Sequence, residues 1–413
     1  MLMLTQAVTE LSASLAASPD IDTFWNRIVQ QGTPIIESVD THTVRVTFLW
    51  RQPEETEVER VYLDANSLTD HHAEQLSVMQ RIGESPVWFY AAEVSNTWRS
   101  SYSIIPAPKS VVDEFDYPGA GKEDTTRRTR WLGLLEHRIA DPLNPLSAGV
   151  DTRRSVAEMP SAPVQFGWDA PVFRKSIQLT WASSTLDVER PVWIYETVDD
   201  GLTPLEERPL VILLDGRHWA EVMPAGAAFD RAVQTGKLKS CVLLAIDSVD
   251  NQRRSKELPC NRDYWSAVVD ELLPQVRAVT PFSSDRTRTV VSGQSFGGLA
   301  SMFAALEFPE HFALVASGSG SFWWPTGLKR GEDGPAGGDI AARIERDGVP
   351  DGLRVVLEVG RHESDMVGHS AAVAQALKAA GAHVSYRIFD GGHDWLCWRS
   401  VLLDSVVELI GSP

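Results

Sequence analysis

The chain has 413 residues, carries a formal net charge of −18 and is 43% hydrophobic and 23% charged. That length suits two domains, and the composition suits a soluble globular protein with a large core. The acidic surplus excludes nucleic acid and an anionic membrane surface as partners, because both demand a basic face.

The first residues, "MLMLTQAVTELSASLAASPD", lack a cationic start and a continuous apolar stretch. They read as a short amphipathic helix and not as a signal peptide. No apolar run approaches membrane-spanning length. The three cysteines, Cys241, Cys260 and Cys397, are odd in number, far apart and without a Cys-x-x-Cys. Reduced thiols in a cytoplasmic protein are the natural reading.

From about residue 40 to 110 the pattern is β. In "TVRVTFLW", Val44, Val46, Phe48 and Trp50 fall on one face, and "RVYLD", "VWFYAAEV" and "WRSSYSIIP" follow between turn signals. Short alternating strands of this kind predict a β-sandwich. A charged stretch, "GKEDTTRRTRWLGLLEHRIA", leads into "DPLNP" and a segment rich in Pro, Ser and Ala. The composition shift sets the expected boundaries: an N-terminal β-rich domain over 1–150, a linker over 151–172 and a second domain over 173–413.

Beyond "SIQLTWASS" and "RPVWIYET" the rhythm changes to continuous apolar runs: "PLVILLD", "CVLLAID", "RTVVSG", "LVASGS", "RVVLEVG" and "VSYRIFD". Such runs fit strands buried on both faces of a parallel sheet. Helical patterns lie between them. "RDYWSAVVDELLPQVRAV" places Val268, Leu272 and Val276 on one face, with Pro274 expected to kink or end the helix. "GHSAAVAQALKAAGA" is a helix that closes on Gly381. Strand–helix alternation predicts an α/β domain with a doubly wound sheet. The glycine-rich "KRGEDGPAGGD" follows no strand and lacks a phosphate-loop lysine, so it reads as a mobile loop.

Within this domain, Gly293-Gln294-Ser295-Phe296-Gly297 matches G-x-S-x-G between a β run and the helix start "GGLASMFAALE". That strand–turn–helix context is what a nucleophile elbow requires, with Ser295 at its tip. The N–H of Phe296, at the helix N-terminus, is one expected oxyanion donor. A neutral hydroxyl needs a neighbouring base. His393, after the last strand and a Gly-Gly turn, has the expected late position. The pair His362 and His369 does not have metalloprotease spacing, and no metal site is expected. The acid should follow the preceding strand. Glu363 and Asp365 both qualify there, with Glu363 nearer the strand end and Asp365 able to cap the next helix. Gly216 or Arg217, after "VILLD", offers the second oxyanion N–H. The order Ser, acid, His is that of α/β-hydrolases, and the chemistry is acyl transfer.

Together "LLDGRHWAEVMP", "IDSVDNQRRSKELPCNRDYW", "GQSFGGLASMFAALEFPEHF", "SGSFWWP" and "GGHDWLCWR" closely resemble the enterochelin (enterobactin) esterases, siderophore hydrolases of the esterase D group. "DPLNP" and the β-rich N-terminal part extend the resemblance over most of the chain. It implies a cytoplasmic enzyme that opens the serine trilactone of a tricatecholate siderophore, with or without Fe(III), and releases dihydroxybenzoyl-serine units. Ser295 and His393 match the family's nucleophile and base, and Glu363 looks like its acid. Arg254 matches an arginine in the family's R-x-x-E-L-P-C block that is associated with the substrate. Arg253, and Arg217 after the earlier strand, would extend a cationic patch for an anionic ligand. Glu257 offers Arg254 a competing partner. Trp323 and Trp324 would line an aromatic pocket. The resemblance implies no cofactor, since iron enters only with the substrate, and a monomer or weak oligomer. Two other readings stay open. A feruloyl- or carbohydrate-ester esterase would share the chemistry but would want secretion. A catalytically idle siderophore-binding protein would not need an intact Ser, His and acid.

Overall fold

Alternating apolar and polar residues build the N-terminal strands. The computed structural model describes residues 6–17, 21–71, 73–146, 152–172, 174–324 and 335–411. In chain order the first strands are β1 (Ile35–Ser38), β2 (Thr43–Arg51), β3 (Arg60–Ala65), β4 (Gln80–Arg81), β5 (Val87–Ser95), β6 (Arg99–Ala107) and β7 (Ser155–Glu158). They form two antiparallel sheets, β1-β2-β5-β4 and β3-β6-β7.

Val44, Val46, Phe48 and Trp50 of β2 share one core with Val61 and Leu63 of β3 and Tyr102 and Ile104 of β6. The sheets therefore pack face to face, as a sandwich does. Helices cover the outer faces. Leu49 of β2 packs with Phe24 and Ile28 from the helix Ile21–Gln31. Ile105 and Ala107 of β6 pack with Val111, Val112, Trp131 and Leu134 from the helices Lys109–Phe115 and Asp124–Leu135. The stretch that read as charged connection is thus a helix whose apolar side roofs the sheet.

In the second part, β8 (Ile177–Ser183), β9 (Val188–Glu196), β10 (Leu210–Leu214), β11 (Val242–Ile246), β12 (Thr289–Gln294), β13 (Leu314–Gly318), β14 (Arg354–Gly360) and β15 (His383–Phe389) make one eight-stranded sheet, ordered β15-β14-β13-β12-β10-β11-β9-β8. From β11 to β15 the pairings are parallel, and β9 and β8 close the other edge antiparallel. All five residues of β10 and of β11 are buried, as strands covered by helices on both faces must be. The chain runs from β10 to one side and returns to β12 on the other. This is the switch point of a doubly wound sheet, where ligands sit beyond the strand ends.

Pro274 is accommodated in an unexpected way. The helical segment is α over Arg262–Ala267, π over Val268–Leu272 and α again over Leu273–Val279, with Pro274 in the first turn of the last piece. Proline removes one N–H and crowds the carbonyl four residues back, and the wider π turn relieves both. Val268, Leu272 and Val276 remain buried on one face. Gly381 ends the helix Asp365–Ala379 region with φ of 89°. Residues 329–334 of the glycine-rich stretch lie outside the described residues.

The chain divides into two compact units. One comprises Met1–Pro163 with Asp390–Leu396, and the other Val164–Phe389 with Cys397–Pro413. Two features of the expected division change. Ser155–Glu158, expected in the linker, is a strand in register with Tyr102–Arg99 of β6. Its Pro- and Ser-rich surroundings hid a four-residue strand. Asp390–Leu396, expected in the second domain, groups with the first unit. Among the described residues no helix is long and apolar enough to cross a membrane. The cysteines are free thiols, with Cys241 and Cys397 buried.

A buried ion pair braces the second unit. Arg190, 1% exposed, donates to Glu257 Oε2 at 2.7 Å and to the Asp247 carbonyl at 3.1 Å, between the rings of Trp181 and Tyr264. Removing one partner of such a pair leaves a buried charge uncompensated. Arg190→Ala should lower the unfolding free energy in urea by about 3–5 kcal/mol. Arg190→Ala/Glu257→Met should recover part of that loss.

Candidate active site

The site grows from the ends of β10, β12, β13 and β14. Ser295 follows β12 and caps the helix Phe296–Glu307, with φ of 58° and ψ of −121°. A side-chain-bearing residue in that region is strained and persists only where its surroundings fix it. Three backbone bonds do so: Ser295 N–H to Gly318 O at 3.0 Å, Ser321 N–H to Ser295 O at 3.0 Å and Leu299 N–H to Ser295 O at 3.1 Å. Glycines supply the space. A Cβ on Gly293 would stand 2.5 Å from the Gly297 main chain, and one on Gly298 would stand 2.6 Å from Ser317 Oγ. Ser295 is half-buried, and its Oγ lies 3.3 Å from Ser321 Oγ. The N–H groups of the first helical turn, Phe296 included, have no acceptor within the helix and gather at its positive end.

On the neighbouring strand, Asp215 follows β10 with φ of 56°. Gly216 comes so close to β11 that a Cβ would meet Ala245 and Ile246 at 2.4 Å. Gly216 and Arg217 begin a turn that continues as the π-helix His218–Val222, so their N–H groups also belong to a helix start. The Arg217 side chain is half exposed and donates to Asp247 Oδ2 at 2.8 Å. That bond raises the guanidinium's pKa.

Glu363 is 3% exposed just beyond β14. Its Oε1 accepts from Ser319 Oγ at 2.6 Å and from Gly360 N–H at 2.7 Å. Ser319 in turn accepts from Trp398 Nε1 at 2.9 Å. Asp365 sits in the first turn of the next helix, half exposed, where its charge suits the helix end. The geometry thus separates the two acids: one is buried and oriented by donors, the other lies at a helix start.

His393 belongs to the first unit. Asn66 Nδ2 donates to the His393 carbonyl at 2.9 Å. Next to it, Asp394 is 4% exposed and accepts from Ser101 N–H at 2.5 Å, Ser101 Oγ at 3.0 Å and Leu396 N–H at 3.1 Å. Thr97 Oγ1 donates to Asp390 Oδ2 at 2.5 Å. The segment is therefore pinned on both sides of the imidazole.

The expected substrate residues divide. Trp323 and Trp324 meet Phe296 at ring-centroid distances of 5.8 and 5.6 Å, and each other at 5.9 Å, so they do form one aromatic group beside Ser295. Arg253, by contrast, donates to Glu257 and to the Asp187 carbonyl. Arg254 does not pair with Glu257. Its Nε and Nη2 each reach Asp215 at 2.7 Å, and Nη2 also reaches the Gln294 carbonyl at 3.2 Å. Burial works against its charge, and Asp215 more than offsets this, raising its pKa. Asp215, Gln294, Trp219, Ser319 and Trp398 escaped the sequence reading. Only Asp215 carried a signal there, as an acid placed directly after a buried strand. Among the described residues no cluster of three or more metal-ligating side chains occurs.

The Esterase family model matches residues 183–409, and the model for the N-terminal part of enterochelin esterases matches residues 45–168. An iron(III) enterobactin esterase of Dickeya dadantii is 38% identical, over 95% of this chain and 94% of its own. The crystal structure of a ferric enterobactin esterase from Salmonella typhimurium is 40% identical with a TM-score of 0.84, covering 94% of this chain and 98% of that one. An enterobactin esterase from Shigella flexneri, crystallised in the presence of enterobactin, is 36% identical with a TM-score of 0.80, covering 94% and 97%.

Because a Cβ at 293 would collide with main chain, Gly293→Ala should displace the elbow itself. Fluorophosphonate labelling of Ser295 should fall roughly a hundredfold or more, in line with the cost of misplacing a reacting group. Far-UV circular dichroism should stay near wild type.

Proposed function

The chain belongs to the enterobactin esterase family, and on that premise we propose that Ser295, His393 and Glu363 open the trilactone of enterobactin-type tricatecholate siderophores. The protein is a carboxylic ester hydrolase. Ser295 Oγ attacks a lactone carbonyl carbon while the His393 imidazole takes the hydroxyl proton. Negative charge on the carbonyl oxygen is met by the N–H groups of Phe296 and of Gly216 or Arg217, each worth about 3 kcal/mol of transition-state stabilisation. The C–O bond to the serine alkoxide breaks, and the imidazolium returns its proton to that oxygen. Water, deprotonated by His393, then releases the acyl group and restores Ser295. Glu363 holds the imidazole in the productive tautomer. No cofactor takes part, and Fe(III), when present, arrives as cargo of the substrate. The free cysteine thiols support work in the cytoplasm, where such groups stay reduced.

One observation carries this reading. Ser295 stands at positive φ between β12 and the first turn of a helix, with tight glycines on both sides. That is costly for a structural serine and necessary for a nucleophile at an elbow. Phe296, Trp323 and Trp324 offer a flat catechol ring an apolar face beside it.

Chromatography after mixing with ferric and iron-free enterobactin should reveal linear trimer, dimer and monomer of dihydroxybenzoyl-serine. No product from either form would reject the proposal. Ser295→Ala should lower kcat by roughly four to six orders of magnitude with ligand binding retained. For the acid, Glu363→Gln should cost about 10²- to 10⁴-fold in kcat. Asp365→Asn should stay within about threefold, and the reverse ranking would reassign the role.

A further inference from the structure

An oxyanion hole built from two strands works only if the strands' end turns keep one fixed relation. A displacement of about 1 Å at such a site can cost on the order of a hundredfold in rate. Here one half of the hole starts at Gly216, after β10, and the other at Phe296, after β12. Two adjacent residues precede them: Asp215 and Ser295, both at positive φ.

Two links join the turns. Trp219, on the π-helix after Gly216, donates from Nε1 to the Gln294 side chain at 3.2 Å. The second link is Arg254, from the helix Asn251–Glu257. Its guanidinium grips Asp215 through two parallel bonds of 2.7 Å and reaches the carbonyl of Gln294, the residue before the nucleophile. It also lies 5.8 Å from the Phe296 ring centroid. Ser248 Oγ, donating to Asp215 Oδ1 at 2.7 Å, completes the set. Two parallel guanidinium–carboxylate bonds fix orientation as well as distance. The Arg254 side chain is 21% exposed and that of Asp215 is 9% exposed, so the pair is mostly shielded from solvent.

We infer that Asp215 and Arg254 are a positioning pair that holds the Gly216–Arg217 amides in register with Ser295, and that this, and not contact with the siderophore, is the role of Arg254. The inference rests on the acyl-transfer reading above. The pair carries no proton and breaks no bond. It fixes where the amides point before substrate arrives.

The test combines turnover of ferric enterobactin with the rate at which a small, uncharged fluorophosphonate labels Ser295. The proteins are wild type, Asp215→Asn, Arg254→Lys, the double variant and Ser248→Ala. Positioning predicts that each of the first two singles loses roughly ten- to a hundredfold in both kcat and labelling rate, with KM within about threefold. The double variant should be little worse than the poorer single, since one unit is broken once. Ser248→Ala removes one bond to Asp215 and should lose roughly two- to fivefold in labelling. Arg254→Lys that raises KM for ferric enterobactin and labels at the wild-type rate would assign Arg254 to the substrate. Fully additive losses, or an unaffected Asp215→Asn, would equally overturn the pair. If thermal melts show that those variants do not fold, Ser248→Ala decides alone, and a wild-type labelling rate in it rejects the inference. Failure of wild type itself to label at Ser295 would instead remove the acyl-transfer reading.

Discussion

Ser295 holds a main-chain conformation that costs about 1–3 kcal/mol for a residue with a side chain, and the surrounding architecture exists to hold it there. The β12 strand must run into the helix Phe296–Glu307 without a loop, which requires Gly293 and Gly298 to accept contacts no Cβ could share. Gly318 and Ser321 bond the serine's own amide and carbonyl, so the β13 end is part of the same constraint. The parallel order of β10, β12, β13 and β14 brings four chain segments to one edge of the sheet, where its switch point lies.

Much of this was legible. Uninterrupted apolar runs mark the buried parallel strands β10 to β14, whereas "VSYRIFD", expected to be buried on both faces, is the edge strand β15 and is part exposed because only β14 flanks it. The elbow was legible because serine between glycines, after β-branched residues and before a helix start, has few alternative uses. Side-chain pairing was not. Arg254 was assigned by resemblance, with nearby Glu257 as its competing partner, and the carboxylate it does pair with, Asp215, stands 39 residues away. Nor could composition reveal β7. Four residues, Ser155–Glu158, sit among prolines and serines and become a strand only because β6 offers them an open edge. The same limit explains Asp390–Leu396, whose allegiance is decided by Asp394 and Asn66 contacts that no periodicity encodes.

Charge at the site is arranged differently from what a net −18 suggests. An anionic substrate would call for bare cations, yet Arg253, Arg254 and Arg217 are each matched with a carboxylate, on Glu257, Asp215 and Asp247. Glu257, Asp215 and Asp247 are all buried, so each arginine is held by a carboxylate that solvent barely reaches. The elbow's neighbours are aromatic: Phe296, Trp323 and Trp324 stand in mutual contact. Flat faces of this kind attract rings through dispersion and quadrupole effects that do not depend on the protein's overall field.

The grouping of Asp390–Leu396 with the first unit bears on how the polypeptide is made. That unit is discontinuous: its last piece is translated more than two hundred residues after Pro163. On the ribosome the β-sandwich can assemble early, yet the cradle formed by Asn66, Thr97 and Ser101 must wait empty until nearly all of the chain has emerged. Maturation of the imidazole's seat is therefore among the final events of biosynthesis. A nascent chain stalled or clipped before that point would lack Asp390–Leu396, and His393 with it.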